Sequence, residues 1–387
     1  MSKFDFLFVS AGIIVSDDSG GSGTMMRLVN ELSKRGYNVG ILMIKNKDVY
    51  NTIARITNDT NILLPPTRWR DHIPFFSKAE YMVFLRILEL FGKTTILSRY
   101  DLKNVKILFS KGKITKESDF LISNSWETAY IVEEYTGNVK EKYQILQYGD
   151  NEAFLRDYVG ENVKFVLKTF EFKLSFICIN NYDFNRFVPN KNPIMLKEGI
   201  NSHDWYRDYT IKKVPGFILV PLRRHMEKGA EIAIRSVEQI LNLRPESKIK
   251  SFGDYEGKLP FGTNHLGFVS KKELFKLYNE ASIFIFPSIG EGFGLTGLEA
   301  MACGCVVIAS DNIGVREYIQ NGVNGYIVPS GDASAISKKT IELLEDPEKT
   351  ALLSKRAMET AKLFNEKNMC DSFLTGVKKR HEDFEIR

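Results

Sequence analysis

Two glutamates, Glu291 and Glu299, stand with three loop glycines, Gly290, Gly292 and Gly294, in the run PSIGEGFGLTGLEAMACGCVVIAS from Pro287 to Ser310. Carboxylates accept hydrogen bonds from hydroxyl groups. Glycines let a backbone turn sharply and approach a ligand closely. Good helix formers follow from Leu295 to Cys303, and Gly304 sits where a helix would stop. The first amides of that helix, on Leu295, Thr296 and Gly297, form an expected anion site. A phosphate bound there has a carboxylate on either side of it. A sugar nucleotide needs this combination: N–H donors for the diphosphate and acceptors for two sugar rings. A plain strand–helix unit with two surface glutamates has the same outline. For a glycine loop alone that bland reading is the better one, and the two glutamates shift the balance.

The elements that must hold this loop are legible around it. Ile283–Phe286 is a short apolar run of the kind a buried strand shows, and Cys305–Ala309 is a second. Upstream, Gly216–Val220 reads as a strand, followed by Arg223, Arg224 and Lys228, then a helix with Ala230, Ala233, Ile234, Val237, Ile240 and Leu241 at helical spacing. Cations at a helix start oppose its dipole, so their presence there points to an anion. Two solvated cations are the bland alternative.

Pro287, Ser288, Glu291 through Leu295, Leu298 through Ala302 and Gly304 match the donor-site signature of retaining glycosyltransferases of the GT-B fold, family 4, which this stretch resembles. Cys305 and Val306 depart mildly from the usual small or polar residue and Pro. The resemblance implies an α/β protein of two Rossmann-like domains with parallel sheets facing a central cleft. The implied domains are 1–210 (acceptor-binding), 211–365 (nucleotide-sugar-binding) and 366–387, a helix packing back toward the first. It also implies site roles. Glu291, with the loop amides of Gly292, Phe293, Gly294, Leu295 and Thr296, would hold the donor sugar and phosphates. Glu299 would hold the ribose, and the turn at Val269 would lie beside the base. Arg223 and Lys228, five apart, match the family's diphosphate clamp. Leu222 replaces the family's Gly before that Arg, which leaves Arg224 as a competing assignment. Asp17–Thr24, with Gly20 and Gly21, reads as a polar glycine loop before a helix starting at Met25. By resemblance it would face the donor phosphates; most such loops only join a strand to a helix.

The chain of 387 residues suits two domains, and its net charge of +5 suits anionic substrates. No apolar run approaches the roughly twenty residues of a membrane span. The start of the chain reads as a first strand rather than a signal peptide. Four scattered cysteines read as buried thiols in a reducing cytoplasm. Further strands are expected at Val39–Ile44, Asp119–Ser123, Tyr143–Tyr148, Leu174–Ile179, Met195–Ile200, Ile249–Gly253 and Gly325–Pro329. A polar loop is expected at Gly149–Glu152, and a helix from Gly314. Between 61 and 117, aromatic runs including Ile73–Phe76 interleave with Lys78, Arg86, Lys93, Arg99, Lys103 and Lys106. A core helix with a solvated basic face explains them, and so does a surface meeting an anionic membrane.

The expected reaction is sugar transfer from a nucleotide-sugar to an acceptor hydroxyl with retention. The acceptor would be a glycan, a lipid-linked glycan or a protein in surface polysaccharide assembly. The expected place is the cytoplasm or the inner face of the plasma membrane. No cofactor, metal or nucleic acid is expected; the chain has no Asp-x-Asp of the metal-dependent transferases. The family histidine near Asn124–Ala129 is missing, so no acceptor base carries over. A sugar-nucleotide epimerase, a phosphorylase or a silent partner subunit stays open.

Overall fold

Buried strands and amphipathic helices alternate along the chain in this computed structural model, which describes residues 3–12, 20–59, 62, 78–90, 95–96, 100–147, 159–260 and 262–387. Asp17–Ser19, Ile73–Phe76, Lys93, Arg99 and Gly149–Glu152 lie outside the described residues. The first elements are β1 (Phe4–Ala11), α1 (Gly20–Lys34), β2 (Val39–Ile44), α2 (Asn46–Thr57), α3 (Lys78–Leu90), β3 (Lys106–Ser110) and β4 (Ser118–Ser123). Next come α4 (Trp126–Glu134), β5 (Glu141–Leu146), α5 (Val163–Thr169), β6 (Ser175–Cys178), α6 (Asn181–Lys191) and β7 (Ile194–Met195). Then follow β8 (Ile218–Pro221), α7 (Ala230–Leu243), β9 (Ile249–Phe252), β10 (Thr263–His265), α8 (Lys271–Glu280), β11 (Ile283–Phe286) and α9 (Leu295–Ala302). The last are β12 (Val306–Ser310), β13 (Tyr326–Val328), α10 (Ala333–Glu345), α11 (Pro347–Ala361) and α12 (Glu366–Arg380). Two units result: unit 1 is Met1–Lys197 with Met369–Arg387, and unit 2 is Glu198–Asn368.

Unit 1 holds a seven-stranded sheet in the order β3-β2-β1-β4-β5-β6-β7, with every pairing parallel. The order reverses between β1 and β4, so the segments after these strands flank a topological switch point. Phe6, Phe8, Phe120 and Phe176 are fully buried in the sheet. The C-terminal segment completes this core: Phe384 lies edge-on to Phe6 and Phe120 at 5.9 and 5.5 Å and stacks on Tyr37 at 5.8 Å. Arg380 and His381 both bond to the Glu141 carboxylate at the start of β5.

Unit 2 holds a six-stranded parallel sheet in the order β10-β9-β8-β11-β12-β13. Its switch point lies between β8 and β11. All four residues of β8 and of β11 are buried, as expected of parallel strands covered on both faces.

Several expectations change. The glycines read as a loop before Met25 belong to α1, which begins at Gly20. A glycine costs a helix roughly 1 kcal/mol. Met25, Met26, Leu28, Val29 and Leu32 are all fully buried, and each such side chain contributes about 1.5–3 kcal/mol. Packing therefore carries the helix through the glycines. Among the described residues of the basic region a helix forms over Lys78–Leu90, and Lys106–Ser110 is an unforeseen strand. The strand expected at Met195–Ile200 ends at Met195. From Gly314 only a single 3₁₀ turn forms, Val315–Glu317. The first division falls at Lys197 rather than after 210. The reason is chemical: residues 198–214 are tied to unit 2, with Ser282 donating to the Val214 carbonyl and Arg207 to the Asn279 side chain.

Candidate functional site

The two loops that leave the switch point of unit 2 carry Arg223, Lys228, Glu291, Gly292, Phe293 and Gly294 of the expected site residues. After β8 the chain turns through Leu222–Gly229, and after β11 through Pro287–Gly294. They are stitched together at Glu227, whose carbonyl accepts from the amides of Ile289 (2.8 Å) and Gly290 (3.3 Å) and the Ser288 hydroxyl (3.1 Å). Gly229 is required at this seam. Its φ is +69°, and a Cβ there would lie 2.2 Å from the Pro287 carbonyl oxygen. Across the seam the Lys228 ammonium meets a Glu291 carboxylate oxygen at 3.0 Å. The side chains are only 27% and 17% exposed, so this pair is partly shielded from water.

Leu222 is buried, and its carbonyl is approached so closely by Gly253 that a Cβ there would lie 2.0 Å away. Arg223 is exposed, with its side chain against Gly253. Arg224 is turned to Asp254: its amide donates to that carboxylate at 3.0 Å, and its side chain is 77% exposed. Val269 is half-buried in the turn after β10, which is pinned by the Gly253 amide donating to the Gly267 carbonyl.

The helix start is narrower than its sequence implies. Gly294, at φ +85°, caps α9, and its carbonyl accepts the Gly297 amide at 3.0 Å. That amide is spent, which leaves Leu295 and Thr296 with N–H groups that no preceding turn accepts. Gly292, Phe293 and Gly294 are buried, whereas Glu291 and Glu299 are half-buried. Gly20 and Gly21 lie at the start of α1 in unit 1.

Three residues that sequence reasoning passed over hold this turn. Tyr318 donates its hydroxyl to the Gly294 carbonyl at 2.8 Å. Burial, then Glu291 and Glu299, push its phenol well above the ordinary range. Tyr278 donates to the Thr296 carbonyl at 3.3 Å. Its phenol is likewise pushed up by burial and then Glu299. Asn312 ties the loop after β12 to the site: its amide donates to the Ser288 carbonyl at 2.8 Å, and its oxygen accepts from Gly314 and Val315. A Cβ on Gly314 would meet the Phe293 backbone at 2.5 Å. Only burial of tyrosines in helix-like runs could have hinted at these contacts.

Lys213 is a further structural tie. Its ammonium donates to the carbonyls of Tyr278, Ala281 and Cys303, closing the ends of α8 and α9. Burial lowers its pKa. The four cysteines are free and buried, and burial pushes Cys303 and Cys305 upward, so neither thiol is poised as a nucleophile.

Among solved structures, Anabaena HepE in complex with UDP-glucose aligns over 97% of this chain and 100% of its own, with a TM-score of 0.65 and 14% identity. Paired parallel-sheet units with this arrangement define a protein of the GT-B fold. The sequence profile of the family described as Glycosyl transferases group 1 matches residues 203–360. The chain is 32% identical over 332 residues to the N,N'-diacetylbacillosaminyl-diphospho-undecaprenol alpha-1,3-N-acetylgalactosaminyltransferase of Campylobacter jejuni, covering 77% of this chain and 83% of that protein. It belongs to the glycosyl transferases group 1 family. An uncharacterized glycosyltransferase of Methanocaldococcus jannaschii is 28% identical over 223 residues, 54% of this chain and 59% of that relative.

Proposed function

We propose that this chain transfers a sugar from a nucleotide-sugar donor to an acceptor hydroxyl, with retention at the anomeric carbon, during polysaccharide or lipid-linked glycan assembly. One observation carries the reading: the Lys228–Glu291 pair at 3.0 Å, on two loops at one switch point, beside the capped start of α9. A cation, a carboxylate and outward amides in that order suit a diphosphate joined to a sugar. Leu295 and Thr296 amides, with Arg223 and Lys228, would hold the diphosphate. Glu291 would hold the donor sugar and Glu299 the ribose, with Val269 beside the base. As the bond from C1 to the phosphate oxygen breaks, the diphosphate gains charge. The acceptor oxygen bonds to C1 on the same face, and its proton passes to the departing phosphate oxygen. No side-chain base is required for that proton, and the cations and amides bind the diphosphate without a metal. Transfer that vanishes with EDTA and returns with manganese would overturn the metal-free reading.

The decisive experiment is alanine replacement in the clamp. Charge that grows in the transition state makes a positioned cation worth roughly 3 kcal/mol, about a hundredfold in rate. Arg223→Ala and Lys228→Ala are each expected to lose about that much turnover and to weaken nucleoside diphosphate binding. Arg224→Ala is expected to keep near-full activity, because its side chain is turned to Asp254. The reverse ranking of the two arginines moves the clamp to Arg224. Silence of all three removes the reading.

The relative from Campylobacter is named for an undecaprenol-linked substrate, and we propose a lipid-linked acceptor here, met at the cytoplasmic face of the membrane. Helix α3 supports this. It buries Tyr81 and Leu85 yet exposes Val83 (60%), Ile87 (45%) and Leu90 (86%), with Arg86 exposed between them. No helix among the described residues is long and apolar enough to cross a membrane. Binding to anionic vesicles is expected to fall steeply with salt, since charges are screened beyond about 10 Å at 0.1 M. Equal binding to neutral vesicles would return α3 to an ordinary surface helix.

A further inference from the structure

A second concave site lies in unit 2, at the opposite end of α9 from the loops above. It encloses about 400 Å³, within the range of small-ligand pockets, and Ala302 at the last turn of α9 forms part of its wall. Its character comes from three aromatic side chains in one short segment. Trp205 is the floor: it is 7% exposed, lies edge-on to Tyr278 at 5.5 Å, and has the Lys271 ammonium over its ring at 5.4 Å. Tyr206 packs on Phe275 at 5.0 Å but keeps 48% of its surface exposed. Tyr209 is 81% exposed, yet the Arg207 guanidinium sits over its ring at 5.2 Å. That guanidinium is itself fixed by bonds to the Asn279 side chain and the Ile211 carbonyl. These rings are therefore held in place while their free faces look outward.

The facing wall is α11 and the residues just after it. Lys355 and Lys362 line the pocket two helical turns apart, on one side of the helix, and both are exposed. Neither is in an ion pair among the described residues. Glu359 lies between them in sequence, so this wall carries two cations and one carboxylate, and Arg207 adds a third cation to the lining. The exposed Ser202 adds a hydroxyl to the lining.

We propose that this pocket binds a phosphorylated monosaccharide, independently of the nucleotide-sugar site. Rigid aromatic faces accept the C–H face of a sugar ring. Ser202 and the tyrosine hydroxyls suit its hydroxyl groups, and two unpaired ammonium groups suit one phosphate. A purely apolar ligand would leave the lysines unused, and a bare anion would leave the rings unused. The site shares its Trp205–Tyr278 wall with the helix pair that holds the first turn of α9, but no residue with the donor loops.

The test is calorimetric titration of the full chain in the Lys228→Ala background, which removes a cation from the nucleotide-sugar site. The probes are glucose 1-phosphate, glucose 6-phosphate, glucose and inorganic phosphate. At least one hexose phosphate is expected to bind at least tenfold more tightly than glucose or phosphate alone. Lys355→Gln with Lys362→Gln is expected to weaken it at least tenfold, and Tyr209→Ala about fivefold. All three positions are exposed, so thermal unfolding should match that of the parent. Four outcomes overturn the proposal: unchanged affinity in the lysine variant, equal affinity for phosphate alone, no heat at millimolar hexose phosphate, or binding only to anionic vesicles. None of these bears on the clamp, whose test is the turnover of the arginine and lysine variants.

Discussion

At the scale of single residues, the turn before α9 depends on groups that never need to touch a ligand. The Tyr318 hydroxyl fixes the Gly294 carbonyl, and that carbonyl sets how the Leu295 and Thr296 amides face outward. Tyr318→Phe removes one neutral hydrogen bond, worth about 1 kcal/mol. Nucleoside diphosphate affinity is expected to fall about fivefold while affinity for the bare nucleoside stays unchanged, measured by calorimetry. A general loosening of the fold would weaken both. The two glutamates should separate in the same way. Glu299→Ala is expected chiefly to raise the donor KM, and Glu291→Ala chiefly to lower kcat, because an interaction that grows in the transition state shows in the rate. Steady-state kinetics with the donor varied would expose the opposite pattern. Glu291→Ala also strips Lys228 of its partner, so the double variant with Lys228→Ala should cost less than the sum of the two.

At the scale of elements, helix ends and loop seams matter more than helix interiors. Lys213 satisfies three carbonyls at the ends of α8 and α9. Lys213→Met leaves them without that donor, and the expected loss is about 2 kcal/mol in urea unfolding. A loss under a few tenths would mean that water replaces the ammonium. Elements were legible where one pattern dominated. Val39–Ile44, Ile283–Phe286 and the start of α9 at Leu295 follow from apolar runs and a glycine cap. The start of α1 was not, because glycines argue locally against a helix that buried Met25 and Leu28 enforce from a distance. Lys106–Ser110 was hidden by its flanking lysines. At the candidate site, Glu291 and Lys228 were singled out by their match to the family's pattern, yet their direct pairing was not legible. That pairing depends on how two loops meet, and the loss of the Gly297 amide to Gly294 depends on how tightly the first turn of α9 winds, which no residue type there announces. The roles of Asn312, Tyr278 and Tyr318 come from contacts between segments far apart in sequence, which no local period encodes.

At the scale of the molecule, each unit repeats one plan: a parallel sheet whose order reverses beside its first strand. In unit 1 that plan is finished by the far end of the chain. Phe384 is 8% exposed among Phe6, Tyr37 and Phe120. Phe384→Ala is expected to cost about 3 kcal/mol, read as a lower urea midpoint for the transition of unit 1. An unchanged midpoint would mean that the ring only covers the core.

The order of synthesis gives this closure a consequence. Residues 198–368 leave the ribosome as one continuous stretch and contain every strand of their own sheet. The older stretch, 1–197, must wait with Phe6 and Phe120 uncapped until residues 369–387 emerge. During that interval the nascent chain displays an aromatic surface that a holdase chaperone would recognise. A chain stalled at 368 should therefore be captured by such a chaperone, and one from which residues 369–387 have also emerged should not.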